Sequence, residues 1–167
     1  PILSDSVVDF YGCRKRAYYA IRNVQRDQLD RFGEIDYTAE LLQKLASHVK
    51  KTVVLNREDP RVSKIDAKNK SFFGLSEKMM SFFPSDDCLL SKEDFRVSTT
   101  KAKVIFESLE GSVAEYSMDG QKCSCHLTLK GNYNAYNAAG ALALCLEILP
   151  DVPFEKLVGD LSDIKSA

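Results

Sequence analysis

The chain has 167 residues, of which 44% are hydrophobic and 28% charged, an ordinary balance for a globular domain with one sizeable core. A formal net charge of −1 at pH 7 removes the electrostatic case for a nucleic-acid binder or for a protein held on an anionic membrane. No apolar run reaches the length of a membrane span, and the first residues lack the form of a signal peptide. The expected location is therefore the cytoplasm.

Pro1 to Gly12 carries little beyond the apolar pair Val7-Val8, and Arg14-Lys15-Arg16 reads as a solvated basic turn. Tyr18-Tyr19-Ala20-Ile21 has the composition of a buried strand and runs into Asn23-Val24 and the charged stretch Gln25 to Glu34. Leu41, Leu42, Leu45, Ala46 and Val49 recur at three- and four-residue steps. They predict an amphipathic helix capped by Asp36 or Thr38, with Lys50-Lys51 at its negative end. Thr52-Val53-Val54-Leu55 is apolar on both faces, which argues for a central parallel strand, and Asn56 to Pro60 is a turn beyond its carboxyl end. Strand, helix, strand is the βαβ pattern of an α/β sheet, and such sheets bind ligands beyond the carboxyl ends of their strands. Asn23 to Asp30 and Asn56 to Asp59 both fall there.

Lys70 to Leu75 reads as a further strand, and Ser76 to Asp94 is the least patterned segment, a loop or a site of insertion and deletion. Lys103 to Glu107, Val113 to Met118 and Cys123 to Leu129 then alternate as strands. Glu110-Gly111 and Asp119-Gly120 are tight turns between them, which predicts an antiparallel meander over residues 95–130. From Ala138 to Leu149 only Gly140 and Glu147 interrupt apolar residues, so this helix belongs in the interior. Phe154 to Val158 opens a last short helix.

The polar residues of the buried helix are gathered in its first turn. Asn134 and Asn137, three apart, share a face, with Tyr133 one turn below Asn137 and Tyr136 beside it. Two carboxamides at the positive end of a buried helix suit the edge of a purine base, and the tyrosines suit its plane. The plainer reading is that one asparagine is the helix cap.

Five cysteines are scattered and odd in number, as in a reducing compartment. Cys123, Cys125 and His126 would offer metal ligands, but on a strand the two thiols point one way and the imidazole the other. Neither G-x-x-x-x-G-K-[ST] nor G-x-G-x-x-G occurs, and His48 and His126 lie in different elements with no clear nucleophile paired to either, so no hydrolytic triad is read. Asp27, Asp30, Glu34 and Asp36 form a carboxylate cluster that suits Mg²⁺, or else a solvated charge run.

Three motifs in order resemble the central domain of the Mur ligases, the ATP-dependent amide-forming enzymes of peptidoglycan synthesis. They are Asn23-Val24-Gln25-Arg26-Asp27-Gln28-Leu29-Asp30-Arg31, Asn56-Arg57-Glu58-Asp59-Pro60 and Gly131-Asn132-Tyr133-Asn134-Ala135-Tyr136-Asn137-Ala138. The wording of Arg26 to Glu34 and of Tyr133 to Asn137 looks most like the MurT branch, the ligase subunit of lipid II isoglutaminyl synthase. The resemblance implies an α/β domain, a mostly parallel sheet flanked by helices with the meander appended. It also implies ATP and Mg²⁺ as cofactors. A carboxylate, the D-glutamate α-carboxylate of lipid II, would become an acyl phosphate and then isoglutamine, with ammonia delivered by a glutaminase-type amidotransferase subunit. Residue by residue, it implies that Asn137 contacts adenine with Asn134 in support, and that Asn23 lies near the same pocket. Asn56 and Asp59 would shape that pocket, while Asp27 and Gln28 would stand at the second Mg²⁺.

This sequence departs from that pattern in several places. The carbamylated lysine of several Mur ligases would fall near Leu42, and the paired C-x-x-C of a zinc ribbon has no counterpart. The phosphate loop and the upstream glutamate also have no counterpart, which implies a partial central domain, incomplete at its N-terminus and not expected to turn over alone. A scaffold or partner-binding module derived from the same fold is the alternative, and a zinc protein using Cys123, Cys125 and His126 is a third.

Overall fold

The computed structural model describes residues 7–8, 19–21, 35–59, 61–82 and 100–164. Among them the backbone forms a mixed seven-stranded sheet whose spatial order follows the chain. The strands are β1 (Val7–Val8), β2 (Tyr19–Ile21), β3 (Val53–Asn56), β4 (Lys70–Leu75), β5 (Val104–Glu110), β6 (Val113–Met118) and β7 (Gln121–His126). Strands β2 to β5 pair parallel, β1 lies antiparallel to β2, and β5, β6 and β7 form the antiparallel meander. Among the described residues three α-helices accompany the sheet: α1 (Ile35–Ser47), α2 (Asn132–Ile148) and α3 (Phe154–Asp160).

Every residue of β3 is buried, and alternation along it feeds two cores. Val53 and Leu55 join Leu42, Ala46, Val49, Val62 and Ile65 on the α1 side, whereas Val54 joins Phe73, Leu75, Val104 and Phe106 under α2. Helix α1 turns its stripe inward as the periodicity predicts, with one correction: Leu41 is exposed, at the shoulder of the stripe that Leu42, Ala46 and Val49 bury. The capping expectation also fails, because the helix begins at Ile35, so that Asp36 and Thr38 lie inside its first turns. At the other end the Lys44 carbonyl accepts from Ser47 Oγ at 2.8 Å and from His48 Nδ1 at 2.6 Å, which satisfies a carbonyl the helix leaves over.

Among its described residues the link from β3 to β4 contains no α-helix. Its 3₁₀ turn Val62–Lys64 supplies Val62 to the α1-side core instead. In the meander, Asp119 and Gly120 both take positive φ (49° and 87°), the backbone of the tight primed hairpin. That turn pairs Met118 with Gln121, so β7 starts two residues before the expected Cys123 and ends at His126 rather than Leu129. Helix α2 lies directly on the sheet. A Cβ on Gly140 would come within 3.1 Å of the Phe73 ring, which explains a glycine in the middle of an otherwise good helix-forming run.

Candidate functional site

The head of α2 is held over the carboxyl tip of β3. Gly131, at φ 94°, is the residue before the helix and has no side chain to cap it. Neither asparagine is the cap: Asn134 lies within the first turn, and its Nδ2 donates to the Lys130 carbonyl at 2.8 Å. Asn134 and Asn137 are both half-buried, partly open to solvent at the positive end of a helix that buries one side of its body in the core. Tyr133 is half-buried beside them.

Tyr136 corrects the expectation that both tyrosines are available to a base plane. It is 1% exposed, its ring packs on Phe73 at 5.3 Å between centroids, and its hydroxyl donates to Asn56 Oδ1 at 2.5 Å. Burial, and next the negative Glu58 nearby, push its phenol well above the ordinary value. Tyr116 of β6 is equally enclosed and donates to the Ala135 carbonyl at 2.9 Å. Two consecutive residues of the helix head are thus tied to the sheet through tyrosine hydroxyls, one to β3 and one to β6.

The tip of β3 is itself a buried polar knot. Asn56 is fully buried, and its Oδ1 also accepts the Glu58 N–H at 2.9 Å. Arg57 Nη2 lies 2.6 Å from Glu58 Oε1 and donates to the Leu75 carbonyl at 2.8 Å, while Glu58 Oε1 accepts the Leu75 N–H at 2.9 Å. This pair joins the tips of β3 and β4 and leaves Arg57 engaged as a structural cation. Asp59, 6% exposed, accepts from the Arg61 and Val62 N–H groups at 2.9 and 3.0 Å and so starts the following 3₁₀ turn. Sequence reading missed the Arg57–Glu58 pair. Two charged residues flush against a wholly apolar strand, with Gly74 opposite, are the signal that marks it.

Of the residues named from the sequence, the structure brings Asn134, Asn137, Asn56 and Asp59 around the α2 head and the β3 tip. Asn23, Asp27 and Gln28 lie outside the described residues. Cys123, Cys125 and His126 do not converge: Cys125 is buried under the helices, whereas His126 is exposed, with Nδ1 3.2 Å from Ser112 Oγ. Among the described residues no three His, Cys, Asp or Glu side chains gather as a metal site would require, and no helix is long and apolar enough to cross a membrane.

The family model described as the Mur ligase middle domain matches residues 9–145. The chain belongs to that family. A UDP-N-acetylmuramate–L-alanine ligase of Desulfitobacterium hafniense is 29% identical over 150 residues, which cover 87% of this chain and 28% of that protein. A pseudomurein peptide ligase type C from Methanothermus fervidus superposes with a TM-score of 0.70 at 20% identity, over 92% of this chain and 35% of that one. MurF ligase from Thermotoga maritima, solved in complex with ADP, gives 0.56 at 17% identity over 90% of this chain and 31% of its own. These structures share the fold, and the Mur ligase middle domain here spans about a third or less of each relative's length.

Proposed function

We propose that this chain is the nucleotide-side domain of an ATP-dependent amide ligase of peptidoglycan synthesis, of the branch that amidates the D-glutamate α-carboxylate of lipid II. The observation that carries the reading is the pair of half-buried carboxamides at the head of helix α2, tied by Tyr136 to the buried tip of β3. The fit with a purine is one of donor and acceptor. Adenine offers an amino donor next to a ring acceptor, and a carboxamide answers both. Asn137 would take that edge, Asn134 would hold the turn through its bond to the Lys130 carbonyl, and Tyr133 would line the outer side. Asn56 and Asp59, both enclosed, would shape the pocket from beneath without touching the base.

ATP with Mg²⁺ supplies the phosphoryl group that activates a substrate carboxylate for attack by ammonia. In that reading Asp27 and Gln28 stand near the metal and Asn23 near the pocket, and a glutaminase-type amidotransferase subunit delivers the ammonia. The branch assignment is supported by the wording of Arg26 to Glu34 with Tyr133 to Asn137. A non-hydrolysable ATP analogue titrated into the chain and followed by amide chemical shifts tests the adenine contact. Perturbation centred on 131–137, weakened in Asn137→Ala, is the expected result, and equal binding by both proteins refutes it.

A further inference from the structure

On a helix each residue turns about 100° from the last, so Asn134 and Asn137 stand roughly 60° apart on one side while Tyr136 points elsewhere. Tyr136 points inward, and its hydroxyl ends on Asn56 Oδ1, 80 residues away in sequence. Asn56 is fully buried and its position is set in turn by the Glu58 N–H, so the anchor belongs to the strand and not to a loop. The Phe73 ring fills the space beside Tyr136, and Gly140 lets the helix body sit against the same ring. A single carboxamide can turn over and read either purine edge. Discrimination therefore depends on where the helix head holds two of them together.

We propose that the buried Asn56–Tyr136 hydrogen bond is the positioning contact that fixes Asn134 and Asn137 for the edge of adenine, and so sets the preference for adenine over guanine nucleotides. This rests on the nucleotide reading above. The hydroxyl touches no base. It acts through the helix register, which a phenyl ring alone would leave free to shift while still filling the core.

The test compares the full chain with Tyr136→Phe, Val158→Ala and Asn137→Ala, using non-hydrolysable ATP and GTP analogues and amide hydrogen exchange. Tyr136→Phe is expected to lower protection at 134–137 and to reduce the ATP-over-GTP affinity ratio, each by roughly fivefold, the worth of one net hydrogen bond. Val158→Ala empties a buried site on α3, far along the chain from the helix head. It is expected to lower thermal stability while leaving both readings unchanged. Asn137→Ala is expected to lose the ratio but keep the protection. Unchanged protection and ratio in Tyr136→Phe, or equal changes in Val158→Ala, overturn the positioning role. A wild-type chain with no preference for ATP, or an Asn137→Ala chain that keeps it, overturns the nucleotide reading and this inference with it. Reduced protection at 134–137 in Tyr136→Phe then identifies the contact as structural alone.

Discussion

Arg57 and Glu58 are neighbours in sequence and partners in the interior, with Nη2 2.6 Å from Oε1 and both side chains buried. Together they occupy the backbone groups of Leu75, and Arg57 reaches the Thr100 carbonyl at 3.3 Å, so one pair closes the tips of β3 and β4 and the approach to β5. Removing one partner leaves a buried charge without compensation. Arg57→Ala is expected to cost about 3–5 kcal/mol in urea unfolding. The double change to Arg57→Met with Glu58→Leu is expected to cost less than the sum of the single changes. Simple additivity would show that the two groups are not coupled.

Gly74 is the test of how firmly that pair is held. A Cβ there would fall 2.8 Å from Glu58 Oε1 and 2.9 Å from Arg57 Nε, closer than packed atoms tolerate. Both side chains are buried and bonded to the Leu75 backbone, so neither moves without breaking a bond. Gly74→Ala is expected to destabilise by roughly 1–3 kcal/mol. In an Arg57→Met, Glu58→Leu background the loss should change, giving a coupling above about 0.5 kcal/mol in a double-mutant cycle. A cost that is the same in both backgrounds would place the strain in the backbone.

The contrast between β3 and its tip shows what a sequence can carry. Val53, Val54 and Leu55 announce two-sided burial by composition, and the three-four spacing of Leu42, Ala46 and Val49 announces the helix that covers them. The Asp119-Gly120 turn is equally local in its chemistry. The tip of β3 depends instead on distant partners. Arg57 and Glu58 read only as part of a turn beyond the strand, and the partners that bury them, Leu75 of β4 and the Thr100 carbonyl, lie 17 and 43 residues on. The site divides the same way. The two asparagines stood out in the first turn of an apolar helix, whereas Tyr136 looked the same as Tyr133 until the fold turned one inward to Asn56. Leu41 failed because a helix stripe has shoulders that periodicity alone does not assign.

Asp59 offers a way to separate support from binding. Its Oδ1 accepts two backbone N–H groups at the start of the Val62–Lys64 turn. Asp59→Ala is expected to cost about 1 kcal/mol, as the loss of a capping side chain does, while Asp59→Asn keeps the acceptor and most of the stability. Both proteins, compared below their unfolding temperatures, should bind an ATP analogue nearly as well as the wild type. A large affinity loss in a folded Asp59→Asn protein would instead put the carboxylate charge in contact with the ligand or its metal.

Alkaline pH should unfold the protein through its enclosed tyrosines and thiols. Burial lifts the Tyr116 phenol, with Cys125 adding to it, and lifts Tyr136 with help from Glu58, both from an ordinary 10.0. Burial also raises the Cys125 and Cys145 thiols from 9.0. The folded chain therefore keeps protons that the unfolded chain releases. Below about pH 8 both states hold them and this contribution to stability is complete. As pH rises past the unfolded thiol and then phenol values it is lost, for each buried tyrosine at a slope approaching about 1.4 kcal/mol per pH unit. Denaturant midpoints should be flat around neutrality and fall increasingly steeply above about pH 9.5. Phenolate absorbance from two of the seven tyrosines should appear only as the fold is lost. Tyr116→Phe should lower stability at neutral pH, because the Ala135 carbonyl loses its partner, yet it should flatten the alkaline decline. If all seven phenols ionised freely in the folded protein, the sheet side of α2 would have to be open to water.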